Sequence, residues 1–100
     1  DGSDERKKEN IVDAPSVLGT ISDMKVRSFD WKLNGRKQKY GFVAQELNEV
    51  APELVRAPQE DDDWWRVKPI DLIPMLTKAV QEQQTQIEAL QAEVKALKGG

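Results

Sequence analysis

The stretch "IDLIPMLTKAVQEQQTQIEALQAEVKAL", residues 70–97, decides the fold. Its positions at alternating steps of three and four carry a β-branched residue at every a site and leucine at three of four d sites. These positions are Ile73, Leu76, Val80, Gln83, Ile87, Leu90, Val94 and Leu97. Four unbroken heptads predict a long C-terminal helix that self-associates as a coiled coil, rather than a helix that packs only on its own domain. The spacing alone leaves dimer and trimer open.

The start of this helix has to accommodate a proline. If Asp71 is the N-cap, Pro74 falls in the first helical turn, where a missing N–H costs little. We therefore divide the chain into a head at residues 1–68, which carries an N-terminal motif, and a coiled-coil helix at residues 69–100.

The head shows the patterns of several short helices. Residues 4–11 favour a short helix with Ser3 or Asp4 as its N-cap. Apolar residues at helical spacing predict two more short helices, over about residues 16–24 and 44–51.

A β-hairpin is predicted between the second and third of these helices. Aromatic and apolar residues alternate with charged ones there, and an Asn-Gly pair at residues 34–35 favours a two-residue turn with positive φ at both positions. Such a turn predicts that Trp31 faces Gln38 and that Phe29 faces Tyr40 across the strands.

A charged loop at residues 57–63 follows an extended stretch that begins at residues 54–55. It leads into a predicted strand that contains Trp64 and Trp65. Adjacent side chains on a strand point to opposite faces, so we expect one tryptophan in the core and the other exposed or covered by a partner. Three consecutive aspartates in the loop could bind a hard cation, but nothing places further ligands at loop spacing, so a solvated turn is favoured.

Composition excludes several classes of protein. A chain of 100 residues with two Phe and one Tyr beside three Trp suggests a thin core that needs association. It contains no cysteine and no histidine, which removes thiolate and imidazole ligands and the commonest general base. A net charge of −3 with interspersed signs argues against nucleic-acid binding. The short apolar runs and charged N-terminus predict a soluble chain without a membrane span or signal peptide.

The N-terminal stretch "DGSDERKKENI", residues 1–11, contains a serine and a lysine that suit nucleophilic catalysis. A serine hydroxyl needs a base, and without histidine a neutral lysine can serve. On residues alone, a helix cap or a cloning remnant explains a Gly-Ser pair near a terminus more often. Five helical positions put Ser3 and Lys8 about 140° apart. They can meet only if Ser3 lies in extended chain before the helix, or if the lysine comes from another subunit.

Four motifs, in order, resemble a known family. They are "SDERKKENI", "FDWKLNG", "YGFVAQELNEVAPELV" and "IDLIPMLTKAVQEQQTQIEALQAEV". Together they resemble the self-cleaving intramolecular chaperone domain at the C-terminus of phage tailspikes, tail fibres and neck appendages, of which endosialidase is the best-known host. The resemblance covers essentially the whole chain.

The resemblance implies a homotrimer that assists folding and assembly of the fibre region upstream in the same polypeptide. It implies a serine peptidase that acts once in cis, with Ser3 as nucleophile, Lys8 as base and the cut between Gly2 and Ser3. It implies no cofactor and no metal. The precursor is expected in the host cytoplasm, with release from the mature fibre after cleavage. The family usually has leucine where this chain has Lys7, which places a second amine beside the proposed base.

We therefore expect an α+β fold, with a small hairpin-based sheet and short helices followed by a long C-terminal helix in a trimeric coiled coil. The alternative function is a non-cleaving structural trimerisation tip of a fibre. A third hypothesis is a receptor- or sugar-binding tip that uses Trp65. No nucleic-acid or membrane partner is expected.

Overall fold

The computed structural model describes residues 2–99 and shows an α+β fold with a long C-terminal helix, which confirms the predicted fold class. The elements are a 3-10 turn at Glu5–Lys7, α1 at Leu18–Asp23, β1 at Arg27–Asp30, β2 at Lys37–Gly41, α2 at Ala44–Val50, a second 3-10 turn at Pro52–Leu54, β3 at Val55–Arg56, β4 at Arg66–Val67 and α3 at Pro69–Gly99. Strands β1 and β2 form one antiparallel sheet, and β3 and β4 form another. Asp1 and Gly100, the outer ends of the predicted head and coil, lie outside the described residues.

The core lies where α2 and the second 3-10 turn meet β3. Leu47, Ala51, Leu54 and Val55 are buried there in one cluster. Half-buried apolar side chains from the rest of the head and from α3 surround the cluster: Met24, Phe42, Ala44, Val50, Trp65, Val67, Leu72 and Met75. A cluster of this size agrees with the thin core that the composition predicts.

The helices α1 and α2 form where the sequence predicts them. Helix α2 buries Leu47 and ends at Val50, with Ala51 as its C-cap, because the residue before a proline disfavours helical geometry. The guanidinium of Arg27 on β1 donates two hydrogen bonds, of 3.0 and 2.8 Å, to the carboxylate of Glu46 on α2. This two-point ion pair fastens the hairpin to the helix above the core.

The hairpin is present, but its predicted register is wrong. Phe29 pairs with Gln38 instead of Tyr40. This shift of two residues keeps Phe29 and Gln38 on one face of the sheet, because faces alternate with a period of two. Toward Gly41 the register shifts again at a β-bulge, where β2 has one more residue than β1.

The predicted two-residue turn is also wrong, because the loop spans residues 32–35. The N–H of Trp31 donates to the carbonyl of Arg36 at 2.8 Å, and the N–H of Gly35 donates back to the Trp31 carbonyl at 2.7 Å. Gly35 has a φ of 71°, whereas Asn34 does not adopt the positive φ that the predicted turn requires of both residues. The Asn34 side chain instead accepts the N–H of Arg36 at 2.9 Å. That local hydrogen bond stabilises the longer turn.

The predicted helix over residues 4–11 is wrong beyond its first turn. Asp4 caps the 3-10 turn, but Lys8 is extended, with φ −123° and ψ 148°, and Asn10 has a φ of 54°. Every side chain from residue 2 to residue 16 is exposed. No burial therefore offsets the cost of nucleating a longer helix.

The predicted start of α3 is wrong. The helix begins at Pro69, a residue suited to the first helical position, so Asp71 lies inside the first turn and is not the N-cap. Pro74 then falls in the second turn, where its ring nitrogen cannot donate to the carbonyl of Ile70. At 31 residues, α3 is about 46 Å long. No helix within residues 2–99 combines the length and the apolar character needed to cross a membrane.

Candidate functional site

The candidate cleavage site lies in residues 2–17, which we call the leader. Ser3 lies in non-helical chain before the first 3-10 turn, and both Ser3 and Lys8 are exposed. The turn forms because the carboxylate of Asp4 accepts the backbone N–H of Arg6 at 2.8 Å, which is the N-cap role that the sequence predicts. The structure thus places Ser3 before the helical turn, as a contact with Lys8 within one chain requires. The catalytic roles of the two residues stay predictions.

Asp4, the residue after Ser3, forms an ion pair. The guanidinium of Arg6 donates to the carboxylate of Asp4, at 2.8 Å from Nη2 and at 3.1 and 3.2 Å from Nε. These side-chain hydrogen bonds, followed by the Arg6 backbone N–H, hold the pKa of Asp4 below its ordinary value. Because the pair is exposed, it adds little to stability, but it fixes the two side chains that flank Glu5.

The backbone N–H groups of two lysines complete the hydrogen bonds of the first 3-10 turn. The N–H of Lys7 donates to the carbonyl of Asp4, and that of Lys8 donates to the carbonyl of Glu5, both at 3.0 Å. The ammonium of Lys7 lies over Gly2, because a Cβ placed on Gly2 would be 3.6 Å from Lys7 Nζ. The residue that departs from the family pattern therefore has its amine beside the predicted cleavage bond.

The end of the leader is joined to α3 by one carboxylate. Glu82 accepts the hydroxyl of Ser16 through Oε2 at 2.5 Å and the backbone N–H of Val17 through Oε1 at 2.7 Å. We call these two hydrogen bonds the Glu82 clasp. The Ser16 hydroxyl first and the Val17 N–H second hold the pKa of Glu82 below its ordinary value, and the charge of Lys78 acts in the same direction.

The first half of α3 carries two apolar rows. The row of Leu72, Met75 and Ala79 faces the head: the first two pack against the core cluster, and Ala79 is 5% exposed. The predicted coil row, one residue further along at each step, is exposed. Its apolar members are Ile73 at 61%, Leu76 at 44%, Val80 at 63%, Ile87 at 48%, Leu90 at 59%, Val94 at 49% and Leu97 at 84%. Gln83, the polar d residue of that row, is also exposed. The head thus leaves the predicted seam uncovered.

The comparison with known families decides what kind of domain this is. A family model matches residues 3–56, just over half of the chain, and the family is one of peptidases described as chaperone of endosialidase. The chain belongs to this family. Its description confirms the resemblance and supports a chaperone role, and the family indicates a self-cleaving peptidase domain. No curated protein matches the chain.

The match to the endosialidase chaperone family begins at Ser3 and ends with β3 at Arg56. It covers the leader from the predicted nucleophile onward, the hairpin, α2 and the core cluster. Gly2 and all of α3 lie outside the matched residues. The exposed apolar row of α3 is therefore evidence about assembly that is independent of the family match.

Sequence reasoning missed two features of this endosialidase chaperone domain. Glu82 occupies an outer heptad position, and its partner Val17 is 65 residues away, so no local pattern indicates the clasp. The row of Leu72, Met75 and Ala79 does have a signal, because its members are spaced by three and four residues like those of the coil row. Because the two rows lie side by side in one helix with the same spacing, the sequence pattern does not distinguish the row that packs on the head from the row that is exposed.

The two tryptophans differ in burial as predicted, but the predicted strand that contains them is wrong, because both lie in the loop before β4 at Arg66–Val67. Trp65 packs against the core cluster, whereas Trp64 is 75% exposed. Trp64 lines an open groove with aromatic side chains of the hairpin, among them Trp31 and Tyr40. Trp65 is half-buried and lines the same groove, so a binding role for Trp65 stays a prediction.

The aspartate loop is ordered by hydrogen bonds. The carboxylate of Asp63 accepts the N–H of Trp64 at 2.8 Å and that of Gln59 at 3.3 Å. Among residues 2–99 no three or more acidic side chains cluster as metal ligands would. The structure thus gives Asp63 a role in holding the loop.

Proposed function

We propose that this domain is an intramolecular chaperone that trimerises through α3, assists assembly of an upstream phage fibre and then cuts itself off before Ser3. The match to the endosialidase chaperone family over residues 3–56 carries the proposal. The exposed apolar row of α3 supports assembly, because a helix that packs only on its own head needs only one apolar row. We propose that the precursor assembles in the host cytoplasm and that the cut domain leaves the mature fibre.

The proposed reaction uses groups of the leader. The neutral amine of Lys8 takes the proton of the Ser3 hydroxyl, whose oxygen attacks the carbonyl carbon of Gly2. The C–N bond between Gly2 and Ser3 breaks, and its nitrogen receives the proton. Water then hydrolyses the ester between Gly2 and the serine oxygen, which leaves a new carboxylate and a new N-terminal serine. Each chain reacts once.

Assembly is proposed to switch the reaction on. A lysine acts as a base only when neutral, and an unperturbed lysine, with a pKa of about 10.4, is almost wholly charged at neutral pH. Lys8 is exposed in the single chain. Burial against neighbouring subunits would disfavour the charged amine and favour the reactive one. Cleavage would then follow trimer formation and not precede it.

The experiment is to express a precursor with native upstream sequence and to follow its intact mass over time. Wild type should yield a product that begins at Ser3, and Ser3→Ala and Lys8→Ala should each remain uncut. Lys7→Ala is the matched control for Lys8→Ala, since both remove one amine from the same turn, and it should still be cut. Cutting in Lys8→Ala together with an intact Lys7→Ala would assign the base to Lys7.

The second candidate is a structural trimerisation tip that stays attached to its fibre. The departure that favours it is Lys7, whose ammonium lies over Gly2 where the family usually has leucine. A wild-type precursor that forms trimers and keeps its full mass would establish this tip and overturn the self-cleavage proposal.

A further inference from the structure

The Glu82 clasp fixes where the leader departs from the body of the domain. Val17 is the N-cap residue of α1, and its backbone N–H donates to the carboxylate of Glu82, which lies 65 residues away in the sequence. The hydroxyl of the preceding Ser16 is held by the same carboxylate. Two consecutive residues bound to one rigid helix define a direction as well as a position.

That direction governs where the reacting groups lie. Lys8 lies eight positions before Ser16, which is a reach of at most about 28 Å. All of these residues are exposed in the single chain. Because none of these residues is buried, no contact with the head redirects the leader between Lys8 and Ser16. The direction in which the leader extends from the Glu82 clasp therefore determines the region of space that Ser3 and Lys8 sample.

The point of attachment shares a turn of α3 with the predicted seam. Val80 and Gln83 are positions of the coil row, and Glu82 lies between them in sequence on a different face of the helix. In a coiled coil the seam residues fix the rotation of each helix about its axis. The rotation of α3 in the assembled trimer therefore sets the direction of the Glu82 clasp.

We propose that Glu82 is a positioning residue for self-cleavage. In the assembled trimer, the Glu82 clasp orients the leader relative to α3 so that Ser3 and Lys8 meet. This inference rests on the proposed self-cleavage before Ser3. A carboxylate suits the task because its two oxygens accept the two hydrogen bonds at the same time. Lys78, on the same helix, and the two leader donors are the groups that keep it charged.

The test compares single-turnover cleavage of trimeric precursors. Glu82→Ala should cut about tenfold more slowly than wild type, the scale of one charge-assisted hydrogen bond. Glu82→Gln, which keeps one oxygen, should fall between them. Glu88→Ala is the matched control, because Glu88 is exposed on the same helix and bonds only within it, to Gln84. It should cut like wild type.

Four readouts separate positioning from general damage. Sedimentation should show the same trimer for every variant, and amide exchange should show Val17 protected in wild type and unprotected in Glu82→Ala. In a double-mutant cycle, Ser16→Ala should slow wild type but leave Glu82→Ala unchanged, because the partner is already lost. The midpoint of the pH–rate profile should stay where it is, since the base is unchanged.

The outcomes distinguish the inference from the function on which it rests. A wild-type precursor that forms trimers without being cut overturns both. A wild-type precursor that is cut, with Glu82→Ala cut at the same rate, overturns the inference alone. Additive effects of Ser16→Ala and Glu82→Ala, or a shifted pH midpoint, would also overturn it, because each assigns the loss of rate to another cause.

Discussion

At Gly41 the missing side chain lets the ring of Phe29 pack directly on the backbone of β2. A Cβ placed on Gly41 would lie 2.7 Å from Gln38 Nε2 and 2.8 and 3.0 Å from two ring carbons of Phe29. The ring also makes an edge-to-face contact with Trp31, at 5.3 Å between centroids. Phe29 therefore has little room to move.

Gly41→Ala should destabilise the domain by about 1–2 kcal/mol, the cost of an added methyl group in a tightly packed site. Gly19→Ala is the opposite control, because Gly19 lies in α1 with no atom within 4 Å of an added Cβ. Alanine there should stabilise by about 0.5–1 kcal/mol. Urea unfolding at one protein concentration measures both. A Gly41→Ala protein as stable as wild type would show that the ring can shift.

Single residues of the candidate site differ in how far the sequence could assign their roles. The N-cap role of Asp4 follows from a local rule, and the structure confirms it. Ser3 and Lys8 stand out only through a family resemblance, because a Gly-Ser pair near a terminus has commoner explanations. Glu82 gave no signal at all, since its partners Ser16 and Val17 are distant in sequence.

At the scale of elements, the hairpin shows how a strong local rule can fail. The alternating pattern placed both strands correctly and put Phe29 and Gln38 on one face, because partial burial of Phe29 constrains the face. The Asn-Gly pair at residues 34–35 gave the wrong loop length. The side chain of Asn34 accepts a hydrogen bond from the N–H of Arg36, and that hydrogen bond competes with the two-residue turn.

The loop before β4 depends on the charge of one aspartate. The N–H of Trp64 first and that of Gln59 second hold the pKa of Asp63 below its ordinary value near 3.8, and Arg66 and Arg56 add to the effect. A folded-state pKa below the unfolded one means that this stabilisation is present above the unfolded pKa and is lost as pH falls through the folded one.

Asp63→Asn should therefore be less stable than wild type at neutral pH, and the difference should close as pH drops below about 3.9. Melting curves recorded from neutral to acid pH measure the gap. Asp62→Asn, at an exposed position one residue earlier, is the matched control and should follow wild type throughout. A gap between wild type and Asp63→Asn that stays constant into acid would mean that the ionised carboxylate contributes nothing.

At the scale of the whole molecule, α3 carries two apolar rows, one packed on the head and one exposed. Leu72 and Met75 complete the core of the head, while the neighbouring row beginning at Ile73 faces outward. Sequence periodicity found the outer row because it runs through four heptads. It could not say which row the head would cover, since that choice depends on contacts with α1 and the second 3-10 turn, which are distant in sequence.

The outer row gives the prediction about assembly. Leu90→Asp places a charge in the predicted seam, whereas Ala92→Asp places the same charge two residues further along at an outer heptad position. Both residues are exposed in the single chain and in the same helix, so intrinsic helix propensity affects the two variants similarly. Only the seam position would lose the burial of a leucine, about 1.5–3 kcal/mol per chain.

Sedimentation equilibrium of cut domains, paired with intact mass of the precursors, measures assembly and cleavage together. Wild type and Ala92→Asp should sediment as three chains and be cut. Leu90→Asp should sediment as fewer chains, and its precursor should stay uncut, because without assembly no neighbouring subunit buries Lys8. A trimeric Leu90→Asp would show that the outer row is not the seam. Full cleavage of a monomeric Leu90→Asp would separate the chemistry from assembly and leave the leader competent in a single chain.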